Sequence, residues 1–563
     1  MPAYPTPKLL LSPAMQALAE FFHESGYTEK KLQALTREPF PPAISPRVKS
    51  LLLDENGAPG TLTTLIRLFT LGVSVPAWQA ETVLPEAFLR SCVDSGLITP
   101  ESKLLIPRFP VEPVRGKLLV SDRPGSRGDK EDYVIGAGPV GMRLVDITPR
   151  TPVPTALDAC TGGGIQTLFL ADHCDSITSI DLNPRAVEFA AFNAALNGLE
   201  NVELLQGDRL DPVRGRSFDL IVCNPPFYLG PTRRKLYSDN EMDLDEFCRQ
   251  MIRECSAHLN EGGFLHVLFE CAEVEGEPWR ERLDQWFRGL GCDVWVRRYH
   301  HRDVIAYCKM RLAETPPADV NTLPAWIDYF RSAGVKQIHG GSVAIRRRNG
   351  ANWTFFDDFE SLTDQRFGAS VPRAFDVRDY LAMHSSDESI LGTRLTVCDE
   401  TWIEEHSHTT GGDWSTSLLR LRLKGESRVL RESEQYRRQP SETLGWETNP
   451  CGRHSRQSGL GRKRSVAKSG TICRDRPQIA ASRGFAAGIT AGVTRSKRNG
   501  FKRGVGHQPC RLAPSAHGSG KVLRLSSTSL ARLLSFPHRA KAPCNSGVRA
   551  GRAISRSPWR MDR

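Results

Sequence analysis

The 563-residue sequence has no unbroken apolar run of about 18 residues, so no helix is expected to span a bilayer. It also lacks CxxC spacing: its 14 cysteines are scattered. That excludes a disulfide frame or a zinc ribbon and reads as the reduced thiols of a cytoplasmic protein. No secretory leader is expected, because Leu9-Leu10-Leu11 is too short for an apolar core and Pro13 breaks it. Glutamate is absent after Glu447. Of the chain's 75 basic and 64 acidic residues, residues 451–563 hold 25 Lys and Arg against only Asp475 and Asp562, leaving 50 basic and 62 acidic to residues 1–450. The folded part is therefore acidic although the whole chain is +11, and it gains no general attraction to phosphate backbones. The Arg-, Ser- and Gly-rich stretch 445–563 has no sustained periodicity and reads as a disordered basic tail. It is either an arm for RNA or a non-native extension such as a shifted reading frame. The abrupt change of composition favours the second.

What the chain does have is organised around Asn224-Pro225-Pro226-Phe227. This tetrapeptide follows the apolar run Phe218 to Cys223, expected to be a buried strand. Proline has no N–H for a ladder, and the residue before each proline is turned away from helix. A stiff, extended loop at a strand's C-terminal end follows, the place where open α/β sheets bind ligands. The Asn224 side-chain oxygen and the Pro225 carbonyl are acceptors beside the flat face of Phe227. That set suits a planar group carrying N–H donors, either a carboxamide or a base amine.

Upstream, Ala156 to Cys160 is a short apolar strand carrying Asp158, followed by Thr161-Gly162-Gly163-Gly164 and a helix from Ile165. Glycines there let backbone approach a ligand, and the helix start offers free N–H groups. A second strand, Ser176 to Ile180, ends in Asp181, whose carboxylate suits the two hydroxyls of a ribose. After a helix from Pro184 to Asn197, a third strand, Val202 to Gln206, ends in Gly207-Asp208. The series is a βαβ succession closing on the tetrapeptide.

Taken together, Asp158 to Gly164, Asp181, Asp208 and Asn224 to Phe227 resemble the motifs of class I S-adenosyl-L-methionine-dependent methyltransferases. The resemblance is to the branch that methylates nitrogen, which includes HemK-type glutamine methyltransferases of release factors and enzymes acting on RNA or DNA bases. It covers roughly Val134 to Leu312. It implies that Asp158, Gly162 and Gly164 hold the methionine end of the cofactor, Asp181 the ribose, and Asp208 the adenine amine with Arg209 beside it. Cys160 stands where the family usually has its first loop glycine, and its side chain narrows the approach. The resemblance implies a Rossmann-like, seven-stranded α/β methyltransferase core at 151–312. It also implies transfer of an activated methyl to Asn224-held nitrogen, with no metal.

Around that core, residues 1–115 have helical apolar spacing and end in a strand-like stretch, as in a helical or winged-helix-like N-terminal domain. Residues 116–150 read as a linker and hairpin. Gly136-Ala137-Gly138-Pro139-Val140-Gly141 fits GxGxxG, but Arg143 to Ile147 alternates like a strand, so a hairpin covering the cofactor is expected in place of a dinucleotide site. Val294 to Arg298 and Val304 to Met310 are expected to close the sheet as an antiparallel pair, with His300 and His301 in their turn. Residues 316–425 read as an α+β accessory domain. It is expected to contain a hairpin, Val343 to Arg348 with Asn352 to Phe356, and strands at Leu391 to Cys398 and Leu418 to Leu423. Arg233-Arg234-Lys235 and Arg346-Arg347-Arg348 are basic spots, and His406 and His408 alternate in a polar stretch. The partner is expected to be a macromolecule: a translation-factor protein, favoured by the acidic folded part, or an RNA, favoured by the basic spots and tail. A binding protein with a vestigial methyltransferase domain is the third reading. The oligomeric state has no signal in the sequence.

Overall fold

The structure, a computed structural model, describes residues 4–36, 60–126, 130–231, 235–240, 242–313, 322–358, 368–384, 401–410, 413–423, 429–433 and 464–465, the last four segments by their backbone. The chain divides into two compact units, Met1–Asp376 with Lys424–Arg428, and Val377–Leu423 with Val429–Arg563. Most of the tail, the stretch Leu391 to Cys398, and Arg233 and Arg234 lie outside the described residues. In the second unit, Thr401–Thr410, Asp413–Leu423 and Val429–Ser433 form antiparallel strands.

The first unit is built on an eight-stranded sheet. Its strands are β1 (Val153–Ala159), β2 (Cys174–Asp181), β3 (Val202–Gln206), β4 (Phe218–Cys223), β5 (Leu259–Val274), β6 (Cys292–Asp303), β7 (Val335–Arg347) and β8 (Thr354–Asp358). Their order is β3-β2-β1-β4-β5-β7-β6-β8. All neighbouring pairs are parallel except those of β7, which runs antiparallel to both β5 and β6. β4 is apolar along most of its length because both faces are covered. Leu157, Ile221 and Cys223 pack under the helices Glu246–Ala257 and Trp279–Phe287. Ala156, Leu220 and Val222 pack under the helix Pro139–Ile147. The strand order reverses between β1 and β4, whose ends pair as Ala159 with Cys223. The glycine loop and the tetrapeptide therefore leave the sheet side by side, at its topological switch point.

The N-terminal part is mainly helical, with helices including Ser12–Glu24, Ala77–Val83 and Glu86–Asp94 and a small sheet of Val75–Pro76, Leu104–Pro107 and Ile98–Glu101. Its core is not closed on itself. Phe22, Phe69, Phe88 and Phe109 share one apolar cluster with Phe189 and Phe192 of the helix Pro184–Leu196. A hairpin, Val111–Val114 with Lys117–Val120, joins the two. On that helix Asn193 and Asn197 face the hairpin at i, i+4 spacing. Asn193 Oδ1 accepts from Val120 N–H at 2.8 Å, and its Nδ2 donates to Val120 O at 2.9 Å and Gly163 O at 2.8 Å. Asn197 repeats the pairing on Leu118, 2.9 and 2.7 Å. Two side-chain amides thus serve as the neighbouring strand for an otherwise open sheet edge.

Several expectations are corrected. The sheet has eight strands, not seven, and two of them, β7 and β8, come from the region expected to be a separate accessory unit. Val304–Ala313 is a helix and not a closing strand. Asp303 Oδ1 accepts from Ala306 N–H at 2.8 Å at its start, and Tyr307, Cys308 and Arg311 are its buried face. Its partner Leu323–Ser332 follows, and only then does β7 return to the sheet. β7 and β8 do not form a hairpin, because β6 lies between them. His300 and His301 lie within β6, not in a turn. The segment 139–147 is a helix opened by Pro139 at its first turn. Irregular chain precedes it, so the strand a dinucleotide fingerprint requires is missing from these described residues.

Asn193 is fully buried, and its loss leaves three backbone groups unpaired. Asn193→Ala is expected to lower stability by about 3 kcal/mol in urea unfolding. A loss below about 1 kcal/mol would mean water replaces the amide at no cost.

Candidate active site

A cavity of about 1190 Å³ opens over the switch point. Cys160, Gly162, Asp181, Asp208 and Arg209 line it, and so do Asn224, Pro225, Pro226 and Phe227. Of the residues expected at the site, Asp158 and Gly164 alone stand behind the wall. Asp158 is fully buried, and its Oδ2 accepts from Thr161 Oγ1 at 2.7 Å, Thr167 Oγ1 at 2.7 Å and Thr167 N–H at 3.0 Å. It knots the glycine loop to the helix Ile165–Leu170 that the loop opens. Burial pushes its carboxyl up to about 6 against those bonds.

The three glycines answer to three neighbours. Gly162 has φ +55°, and a Cβ there would meet nothing within 4 Å, so its bare backbone borders the open cavity. A Cβ on Gly163 would lie 3.4 Å from Val134 Cγ1 and 3.6 Å from Ile135 O. Gly164, at φ +86°, packs on Ala190, 3.3 Å from where its Cβ would be. Cys160 takes the left-handed conformation at φ +60°, so the family's glycine position keeps glycine-like backbone here with a side chain attached.

Asp181 Oδ2 accepts from Gly162 N–H at 2.8 Å and Oδ1 from Asn183 N–H at 2.9 Å, which fixes the carboxylate at the cavity edge. Burial pushes its carboxyl up; the N–H groups oppose this. Asp208 is exposed, 3.6 Å from Arg209 Nε. The Arg209 guanidinium turns toward the helix Glu246–Ala257, donating to Gln250 at 3.0 Å and Glu254 at 2.6 Å. It is positioned to hold Asp208 more than to reach a ligand.

Asn224 follows the last paired residue of β4, and its buried Oδ1 has no hydrogen-bond partner. Such an orphan is costly unless something binds there. The Pro226 carbonyl is taken by Asn240 Nδ2 at 2.9 Å, leaving Pro225 as the loop's proposed second acceptor. Phe227 meets Tyr228 edge-on at 4.9 Å. Beyond it, Leu229 N–H donates to Tyr307 Oη at 3.0 Å, and that hydroxyl donates to Glu270 Oε2 at 2.5 Å.

The segment expected to cover the cofactor does line the near wall, as a helix start and not as a hairpin, and the rest of that wall was missed. The start of the helix Pro139–Ile147, Tyr133 and Tyr237 5.5 Å apart, and Glu112 of the hairpin all line the cavity. The glycines from 136 to 141 carried the signal for that segment, read there as a hairpin; Glu112 had none.

A mostly parallel sheet in this order, with a glycine loop and an Asn-Pro-Pro-Phe turn at its switch point, defines a class I methyltransferase fold. Residues 142–288 match a family model described as Methyltransferase small domain, and residues 29–107 match one described as Domain of unknown function (DUF7059). The chain is 34% identical over 150 residues to a ribosomal protein uL3 glutamine methyltransferase of Bradyrhizobium diazoefficiens, covering 24% of this chain and 47% of that protein. It is 35% identical over 130 residues to a release factor glutamine methyltransferase of Deinococcus radiodurans, 21% and 45% covered. A ribosomal RNA small subunit methyltransferase C of Alcanivorax borkumensis is 29% identical over 112 residues, 20% and 31% covered. The chain spans about half or less of the length of these relatives. This region thus resembles class I methyltransferase domains, glutamine methyltransferases among them, a class whose cofactor is S-adenosyl-L-methionine. No helix among the described residues is long and apolar enough to cross a membrane.

The residues present fit that cofactor: bare backbone at Gly162 and a fixed carboxylate at Asp181 border the cavity, and the unpaired acceptor of Asn224 stands beside them for the group to be methylated. Gly162→Leu would fill the cavity floor and is expected to abolish binding of S-adenosylhomocysteine in calorimetry. Undiminished affinity would place the ligand elsewhere.

Proposed function

We propose that the chain is an S-adenosyl-L-methionine-dependent N-methyltransferase acting on a planar nitrogen of a macromolecule, with the side-chain amide of a protein glutamine as the favoured acceptor. The observation that carries it is the buried, unpartnered Oδ1 of Asn224 beside the glycine loop. When bound, the sulfonium donor supplies an already activated methyl group.

The chain's own residues then have one task, to present the acceptor nitrogen. An amide nitrogen is a poor nucleophile because its lone pair is delocalised. Asn224 Oδ1 and the Pro225 carbonyl accept hydrogen bonds from its two N–H groups and hold the lone pair toward the donor, and the nitrogen releases one of those protons once it has taken the methyl group. Phe227 supplies a face for the flat amide, and its own ring is held by Tyr228. Asp181 would take the ribose and Asp208 the adenine amine, leaving the glycine loop for the amino-acid arm. Asp158 acts on the loop's shape.

Two observations favour a protein amide. Relatives named for glutamine methylation match this region. The described cavity wall carries Glu112, Asp122, Asp181, Asp208 and Asp239 against Arg123 and Arg209, a poor lining for a phosphate chain. A base amine of RNA is the second reading, supported by the similarity to the ribosomal RNA enzyme.

Asn224→Ala is expected to lower turnover by about 100- to 1000-fold while S-adenosylhomocysteine affinity changes less than about threefold, since Asn224 serves the acceptor. With tritiated cofactor and a cell lysate, the label should disappear on protease treatment and survive RNase. Loss to RNase alone would reverse the choice of substrate.

A further inference from the structure

We propose that Glu112, on the N-terminal hairpin, is the counter-charge for the α-ammonium of the cofactor's amino-acid arm. This rests on the methyl-donor reading above. Five carboxylates line the cavity, and four are committed elsewhere. Asp122 is held by Arg185 at 2.9 Å and Lys130 at 2.7 Å. Asp181 caps Gly162 and Asn183, Asp208 stands beside Arg209, and Asp239 accepts from Ser238 Oγ at 2.8 Å. Glu112 differs. Its Oε2 accepts one backbone bond, from Ala137 N–H at 2.9 Å, and no cation forms an ion pair with it among the described residues. Burial pushes its carboxyl up and the Ala137 bond offsets this only in part, the condition of an acid lacking its cation.

Position agrees with charge. From Asp181 the wall runs through Gly162 to Gly163, which abuts Val134 and Ile135, and then to Ala137 and Glu112. A ligand with its ribose at Asp181 and its arm laid over the glycine loop extends toward Glu112. The place of Glu112 is fixed because its hairpin partner strand, through Val120, is clamped to Gly163 by Asn193. A Cβ on Gly136 would come within 2.7 Å of Glu112 Oε2, so bare backbone there makes room for the carboxylate.

The test is calorimetry on the full chain with three ligands: S-adenosylhomocysteine, its desamino analogue and 5′-methylthioadenosine, which has no amino-acid arm. Glu112→Gln keeps an acceptor for Ala137 N–H. It is expected to weaken S-adenosylhomocysteine at least tenfold, bind the desamino analogue as the wild type does, and leave methylthioadenosine within twofold. The last value also reports an intact cleft. Unchanged affinity for S-adenosylhomocysteine, or equal loss for all three ligands, would overturn the assignment. Wild-type protein that binds none of them would sink the methyl-donor reading itself and this inference with it. If Glu112→Gln does not fold, Glu112→Asp serves, since its carboxylate is withdrawn by one methylene. It should discriminate between S-adenosylhomocysteine and the desamino analogue less than wild type does, and equal discrimination would count against the proposal.

Discussion

One buried amide, that of Asn193, joins the parts that make the site. It holds both hydrogen-bonding groups of Val120 on the N-terminal hairpin and the carbonyl of Gly163 in the glycine loop. A buried amide with fewer partners would cost stability, so its satisfaction and the loop's shape are the same fact. The shared cluster of Phe109, Phe189 and Phe192 supplies the apolar area around it. Because that cluster crosses the junction, the N-terminal part is rigidly referred to the sheet, and a residue such as Glu112 can belong to the cavity at all.

The carboxylates divide the labour by environment. Asp158 is buried, and three donors on one oxygen outweigh part of its desolvation. With its carboxyl raised to about 6, it contributes most to stability at low pH, and that contribution falls as pH rises from the unfolded range near about 4 through 6. At neutral pH the loop therefore keeps a charged knot at some cost, accepted because the knot sets where Gly162 lies. Asp181 is held at the cavity edge by two N–H groups and remains available to a ligand from the open side.

Much of this was legible in the sequence, and the failures share one cause. β1, β2 and β4 were readable because buried parallel strands are short apolar runs, and the partly exposed edge strand β3 was readable from its place in the βαβ succession; Asp158, Asp181, Asp208 and Asn224 came with them. The run Val304 to Met310 reads as a strand by its residue types. Its positions 304, 307, 308 and 311 nonetheless carry helical spacing, and Asp303 before them is an N-cap. At Gly138-Pro139 the same cue, proline at a helix start, was outweighed by local alternation. The Asn349-Gly350 turn was also legible. That β6 would slide between the strands flanking it was not, since pairing across a sheet is decided by partners far away in sequence.

The two halves of the site have different support. The half that runs from the glycine loop to Asn224 lies within the residues that match the methyltransferase family. The loop after Phe227 is held by helices beyond them. Tyr307 takes the Leu229 N–H, Arg311 sits over the Tyr228 ring at 3.3 Å, and Gly230 packs so closely on Trp326 that a Cβ would come within 2.7 Å of it. These contacts grip three successive residues after Phe227 from one direction. A loop stiffened by two prolines and then pinned at three points has its course fixed by the helices 304–313 and 323–332. The course of the loop after Phe227 is therefore set by structure that lies outside the residues matching the family.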